Sequence, residues 1–130
     1  MTRTTSAIAL GALLASAAAA HHSPAVFDRS RQVTIEGVVT EFRWGNPHSW
    51  IHLDVTRGDA VEQWVVEMDP ATHLSRSGWT SKTIAPGDRV AVKVYPLRND
   101  EKGGQYISIT LPDGKVMNDR SPEVLPPATR

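Results

Sequence analysis

One stretch of this 130-residue chain alternates with a period of two, and it limits the possible folds more than any other feature. Between positions 48 and 55, Ile51, Leu53 and Val55 take every second place. Successive side chains of a β-strand point to opposite faces, so this period predicts a strand with one buried face. The other face carries two imidazoles, an indole and a carboxylate, those of His48, Trp50, His52 and Asp54. We therefore expect a sheet whose outer face has side chains capable of chemistry.

A turn signal precedes this strand at Gly45-Asn46-Pro47. Proline disfavours helical backbone at the residue before it, so one strand ends near Trp44 and the next begins after the turn. The stretch from Phe42 to Val55 holds two of the five histidines and two of the four tryptophans. We expect any site in the folded body to lie here, with cross-strand packing of these side chains as the competing interpretation.

Four further segments have strand patterns, and a short helix lies among them. With Ser49–Val55, the predicted strands are Gln32–Trp44, Val61–Met68, Arg89–Tyr95 and Gln105–Leu111. Gly37 in the first strand predicts a bulge or a sharp bend, because glycine has no side chain to pack. Asp69 is suited to cap the helix that Gly78 ends, with Pro70 at its first position. In the last strand, alternation places three side chains inside, those of Ile107, Ile109 and Leu111.

The order of three strands, a short helix and two more strands is that of an OB-fold. The predicted fold class is therefore all-β with small α content, an OB-fold-like five-stranded β-barrel with one short helix between strands 3 and 4. Another small β-barrel or a β-sandwich fits the composition equally well. OB-folds usually bind ligands on strands 2 and 3, and the segment from Trp44 to His52 falls there.

Composition excludes several classes of site. Fourteen Lys and Arg residues balance fourteen Asp and Glu residues, so nucleic acid is not expected as the main partner. The chain has no cysteine, which excludes disulfides, thiolate metal sites, cysteine nucleophiles and a lipid-modified cysteine anchor. It also lacks a Gly-x-Ser-x-Gly elbow, a His-Glu-x-x-His pair and a phosphate loop, so we expect no enzymatic activity.

Residues 1–20 have the pattern of a secretory signal peptide. Arg3 is followed by an apolar centre from Ile8 to Leu14 and by small residues up to Ala20. The apolar run is too short to span a membrane, so we expect cleavage and export to a bacterial periplasm, with an uncleaved anchor as the alternative. The mature chain then divides into an extended lead-in, a barrel domain and a disordered tail, at 21–31, 32–117 and 118–130.

Cleavage of the signal would leave histidine at or near the new amino terminus. A cut after Ala20 makes His21 the first residue, and its amine and imidazole can then chelate one metal ion as a histidine brace. A cut one or two residues earlier places His22 or His21 third, where a histidine wraps four nitrogens around Cu(II) or Ni(II). Nitrogen-rich tetragonal sites favour Cu(II). A solvated, mobile start of the chain is the alternative role of this pair.

Several motifs together resemble one family of small exported bacterial proteins, classed as a domain of unknown function. They are His21-His22-Ser23, Thr34 to Val39, Trp44 to His48, Gly78-Trp79, Pro86 to Val90 and Leu111 to Gly114. The resemblance covers residues 21 to 117 and implies an exported OB-like β-domain with no established activity. It implies no catalytic residues, and it marks the amino-terminal histidines with Trp44, Asn46, Pro47 and His48 as motif positions.

Two functions are compatible with these features. The first is a periplasmic protein that carries or buffers a Cu(II) cofactor, with His21, His22, His48 and His52 as candidate ligands. The second is a non-enzymatic module that binds a small ligand or a protein partner through Trp44, Asn46, Trp50 and Tyr106. Aromatic side chains offer a large contact area at low entropic cost, although these same rings also suit internal packing.

Overall fold

The computed structural model describes residues 26–118, which form a sheet with a short helix between its third and fourth strands. The strands are β1 (Val33–Arg43), β2 (Trp50–Arg57), β3 (Ala60–Glu67), β4 (Arg89–Pro96), β5 (Gly103–Thr110) and β6 (Val116–Asn118). Helix α1 (Ala71–Leu74) and a 3₁₀ turn (Ser75–Ser77) separate β3 from β4. Within residues 26–118, no helix has the length and apolar character needed to cross a membrane.

Several predictions fall on parts of the chain that the structure does not describe. The signal peptide predicted at 1–20 lies outside the described residues, as does the predicted tail beyond Asn118. His21 and His22 also lie outside them. Their roles therefore stay predictions.

The strands close into a barrel. They pair antiparallel in the order β3-β2-β1-β4-β5-β6, and β3 also pairs parallel with β5, at residues 65–67 and 103–105. That pairing joins the two ends of the row β3-β2-β1-β4-β5, while β6 extends the other half of β5 as a hairpin. Five closed strands with a helix between the third and the fourth make an OB-fold, which confirms the predicted fold class.

The inward faces of the strands form the core, as the alternation predicts, except that Ile107 of β5 is predicted inside and is only partly buried. Ile51, Leu53 and Val55 of β2 are at most 2% exposed. Trp79 follows the helix, and its ring centroid lies 5.9 Å from that of Phe42. Burial of such aliphatic and aromatic side chains supplies the main driving force for folding.

Gly37 lies where β1 passes close to β2. A Cβ atom at this position would lie 2.7 Å from the carbonyl oxygen of Asp54. Gly37 itself has a regular place in the pairing with β4, opposite Val90. The register of β1 shifts further along, between Val39 and Glu41. The bulge therefore lies beyond Gly37, and the glycine serves the close approach of two strands.

A second irregularity changes the face on which Tyr106 lies. Consecutive residues of β4 pair with Ser108 and with Tyr106, so Ile107 is an extra residue in β5. This extra residue turns the side chain of Tyr106 inward, where it is 3% exposed. Its hydroxyl donates a hydrogen bond of 2.8 Å to the carbonyl of Met117. The ring of Tyr106 therefore lies inside the barrel, which agrees with the internal packing that the sequence also allowed for it.

The helix begins without the side-chain cap predicted at Asp69. Pro70 is its N-cap residue, and no side chain caps the helix there. Oδ2 of Asp69 instead lies 3.0 Å from Nδ1 of His73, whose side chain is 56% exposed. Gly78 ends the region with a φ of 87°, a left-handed conformation that favours glycine, as predicted.

Candidate functional site

The turn between β1 and β2 is tied to the segment around the helix. Ser49 is fully buried, and its hydroxyl lies 3.2 Å from both the nitrogen and the carbonyl oxygen of Gly45. The same carbonyl accepts a hydrogen bond of 2.9 Å from the amide of Ala71. Two more backbone hydrogen bonds join Ser49 to the residues that precede the helix. These contacts fix the position of the neighbouring His48.

His48 lies two residues before the start of β2, and its imidazole contacts the end of β3. Nδ1 lies 3.1 Å from the carbonyl oxygen of Met68 and 3.3 Å from Oε1 of Glu67. The ring centroid is 6.2 Å from that of Trp50, in an edge-on arrangement. When Nδ1 donates to a carbonyl or carboxylate oxygen, Nε2 is the nitrogen that can ligate a metal. The surroundings of His48 therefore suit a histidine ligand whose ring is oriented by neighbouring oxygen atoms.

His52 shares the outer face with His48, but the two histidines lie far apart along it. Four residues along a strand span about 13 Å. Nε2 of His52 lies 3.9 Å from Oε2 of Glu41. A hydrogen bond from Arg43 lowers the pKa of the Glu41 carboxyl, so that it is ionised beside the imidazole. The structure therefore does not bring His52 and His48 into one metal site.

The four residues predicted to bind a ligand do not form one platform. Trp44 packs against the hydrophobic core. Asn46 is exposed on the turn, where its Oδ1 lies 3.4 Å from the amide nitrogen of Thr72. Tyr106 is buried, as described above. Of the four, Trp50 alone lines the groove described next.

A groove with a volume of about 710 Å³ lies on the outer face of β2 and β3. These strands contribute Trp50, Val65 and Glu67, and the segment from Leu97 to Gly104 contributes most of the remaining lining. Val26, at the start of the described chain, also lines it. OB-folds bind ligands on this face and on the loop between strands 4 and 5. The prediction from sequence included Trp50 but missed the loop and the lead-in.

The loop before β5 approaches β3 closely because of Gly103. A Cβ atom there would lie 2.8 Å from Cδ1 of Leu97 and 3.0 Å from the carbonyl oxygen of Val65. Glycine in or beside a strand often marks such a close backbone approach. The pair Gly103-Gly104 is therefore the signal in the sequence that could have indicated the groove, although the polar composition around it predicts only a loop.

Charged side chains of both signs line the groove. Two cationic residues, Arg98 and Lys102, line it together with two anionic residues, Glu67 and Glu101. Nζ of Lys102 lies 3.3 Å from Oε1 of Glu62, a residue that does not line the groove. This balance differs from the positively charged channels that follow a nucleic-acid backbone.

The lead-in is attached to the barrel beside the groove. Phe27 is buried and forms a β-bridge with Leu97, and the amide of Arg98 donates a hydrogen bond of 2.9 Å to the carbonyl of Val26. Among residues 26–118, no group of three His, Asp or Glu side chains could hold a metal ion.

Comparison with protein families identifies the group to which this chain belongs. The model of a family of unknown function (DUF6152) matches residues 10–106. The chain belongs to this family. Every residue that lines the groove, from Val26 to Gly104, lies inside the matched range. The groove is therefore part of the DUF6152 domain of this chain, whereas β6 lies beyond the match.

Solved structures include a similar fold with little sequence identity. One is the crystal structure of Rim1, a mitochondrial single-stranded DNA binding protein of S. cerevisiae, with a TM-score of 0.48. The two sequences are 13% identical, and the match covers 62% of this chain and 92% of the Rim1 chain. No curated protein matches the chain.

Proposed function

We propose that this protein is exported to the periplasm and binds Cu(II) through its mature amino terminus, with His48 as a further ligand. The proposal rests on the position of Val26, which lines the same groove as Trp50 and Glu67. Both of those residues contact the imidazole of His48. The lead-in therefore joins the described fold at a groove that has two of the residues in contact with His48 in its lining.

The amino-terminal histidines lie close to this place along the chain. His22 lies four residues before Val26, and His21 lies five residues before it. An extended chain of four or five residues is about 13–18 Å long. His48 is in contact with Trp50 and Glu67 on the same groove. This reach supports a site that joins the terminus to the barrel.

The donor atoms suit Cu(II). The terminal amine and the imidazole of the first or third residue provide nitrogen ligands, and Nε2 of His48 would add another. The Glu67 carboxylate and the Met68 carbonyl would orient the His48 ring, as oxygen atoms that hydrogen-bond to a ligating histidine commonly do in metal sites. The chain has no cysteine and only three methionines, so it lacks the soft ligands that favour Cu(I). We therefore infer carriage or buffering of Cu(II), without catalysis.

Replacing His48 with alanine is expected to weaken Cu(II) binding at least about tenfold, because the site loses one of its nitrogen ligands. The protein should be exported and processed by a bacterial host, and its intact mass should identify the cleavage site. A Cu(II) titration followed by electron paramagnetic resonance then measures stoichiometry, affinity and nitrogen hyperfine structure. We expect one tight equivalent in the parent protein and an altered spectrum in His48→Ala.

Two other histidines provide matched controls for this titration. His52→Ala and His73→Ala each remove one imidazole that pairs with a carboxylate elsewhere on the surface, near Glu41 or Asp69. We expect both variants to bind Cu(II) as the parent does, and a His21/His22 double substitution to abolish tight binding. A His48→Ala spectrum and affinity identical to the parent's would exclude His48 and confine the metal to the terminus.

A second candidate function is the binding of a small apolar ligand or a partner segment in the groove. The observation that favours it is Trp50, a partly exposed indole on a groove of the size that holds small ligands. In metal-free buffer, the dye 8-anilinonaphthalene-1-sulfonate would then bind the mature protein saturably. Trp50→Ala would abolish this binding, whereas Val61→Ala, which shortens an exposed side chain outside the groove, would retain it. A mature protein that does not bind the dye would contradict this second function.

A further inference from the structure

We propose that the groove is occupied by residues 21–25 of the chain itself once the signal peptide has been removed. This inference names an occupant for the groove on the outer face of β2 and β3. It does not require a metal ion, so it can hold or fail independently of Cu(II) binding. It would also bring the mature amino terminus to His48 before any metal is bound.

The place where the described chain begins is the first support. Phe27 is held by its bridge to Leu97, and Val26 by the hydrogen bond from the amide of Arg98. Both Val26 and Phe27 line the groove. The segment before them therefore starts at the margin of the groove, and it has no more than a few residues after cleavage. A short tether of this kind gives a high effective concentration of the segment at the groove.

The size and the surface of the groove agree with such an occupant. A volume of about 710 Å³ lies within the range of about 300–1,000 Å³ that holds ligands of drug size, and a peptide of five residues is of this size. Apolar side chains of Val65 and Leu97 line it beside the indole of Trp50. Val26, which is 36% exposed, is one of the few large apolar residues at the surface of the described chain. Pro24 and Ala25 would cover this apolar surface, and proline has no amide hydrogen that needs a partner.

Charge complementarity is the third support. The new amino terminus is a cation over most of the acidic and neutral pH range. The groove offers the carboxylates of Glu67 and Glu101, and its lining also includes the cations of Arg98 and Lys102. Lys102 also lines the groove, but its Nζ lies 3.3 Å from Oε1 of Glu62, which lies outside the groove. A terminal ammonium group would therefore find the carboxylate of Glu67, which lies beside His48.

Disulfide trapping in the mature, metal-free protein tests the proposal directly, because the chain has no cysteine of its own. A variant with Ser23→Cys and Val65→Cys places one thiol on the segment and one in the groove. A disulfide needs Cβ atoms about 4 Å apart, so it forms fast only when the segment lies there. The matched control is Ser23→Cys with Gln63→Cys, since Gln63 points from the same face of β3 but does not line the groove.

We expect the Val65 pair to oxidise at least about tenfold faster than the Gln63 pair, because docking raises the effective concentration at one position only. Equal rates in the two variants would overturn the proposal. Disulfides formed mainly between chains, and faster at higher protein concentration, would also overturn it, because a second copy would then be the occupant.

A truncated protein gives a second readout that needs no new thiol. The parent mature protein and a form that begins at Val26 are compared with the dye 8-anilinonaphthalene-1-sulfonate. We expect the truncated form to bind the dye and the parent to bind it at least about tenfold more weakly, since the tethered segment competes. Such weak binding by the parent would contradict the second candidate function, which needs an open groove in the mature protein. Equal dye binding by the two forms would contradict occupation of the groove by residues 21–25. If the parent protein binds no Cu(II) but gives the expected disulfide and dye results, the proposed copper site is wrong and the docking of residues 21–25 is supported.

Discussion

Replacing Trp79 with alanine is expected to lower the free energy of unfolding by about 3–5 kcal/mol, a large part of the stability of a small domain. Trp79 is 1% exposed, and its ring centroid lies 5.9 Å from that of Phe42 and 5.6 Å from that of Tyr106. Removal of the indole leaves a cavity between β1, β5 and the helix, which close-packed neighbours can fill only in part. Urea denaturation followed by circular dichroism measures the loss.

Trp79→Phe is the matched control, because it keeps an aromatic ring in the same place. Among residues 26–118, the buried Nε1 of Trp79 has no hydrogen-bond partner, so the substitution also removes a polar group that is costly to bury. We expect Trp79→Phe to cost no more than about 2 kcal/mol. A loss as large as that of Trp79→Ala would show that the indole nitrogen makes a stabilising interaction, contrary to this account.

Gly37→Ala is expected to destabilise the barrel by about 1–3 kcal/mol, although the substitution adds only one methyl group. The new Cβ atom would lie 2.7 Å from the carbonyl oxygen of Asp54 and 3.1 Å from Cγ2 of Val55. The first of these atoms belongs to the backbone of β2, so relief requires the two strands to separate. Thermal unfolding and urea titration should both report the loss, with a lower melting temperature and a lower midpoint.

Gly45→Ala is the control for this second prediction. A Cβ atom at Gly45 would meet no atom within 4 Å, and the residue does not have a positive φ. We expect its free energy of unfolding to stay within about 0.5 kcal/mol of the parent value. If Gly37→Ala were as well tolerated as Gly45→Ala, the close approach of β1 to β2 would not constrain this position.

The strands and their buried faces were predictable because they depend on local pattern. Alternation in β2 identifies Ile51, Leu53 and Val55 as core residues, and all three are buried. Gly78 was predictable as the end of the helix, since a left-handed residue after a helix favours glycine. The order of strands and helix predicts the OB-fold for the same reason, because each element has a signal within its own segment.

Irregularities in the pairing between strands were not predictable in this way. The extra residue Ile107 turns Tyr106 into the core, and it shows only in the register of β5 against β4. Alternation also predicts that His48 and His52 lie on one face, but it does not indicate which side chains surround each imidazole. The structure puts each imidazole beside a different carboxylate, Glu67 or Glu41, and so assigns them to different surroundings.

The sequence by itself determined the all-β character, the OB order, the absence of cysteine chemistry and the outward position of His48 and Trp50. Only the tertiary structure decided that Trp50 lies in a groove with Val26 and the segment from Leu97 to Gly104. These parts of the chain are distant in sequence and meet because the barrel closes through β3 and β5. Closure of the barrel depends on the pairing of whole strands. No local pattern of residues predicts which loops this closure brings together.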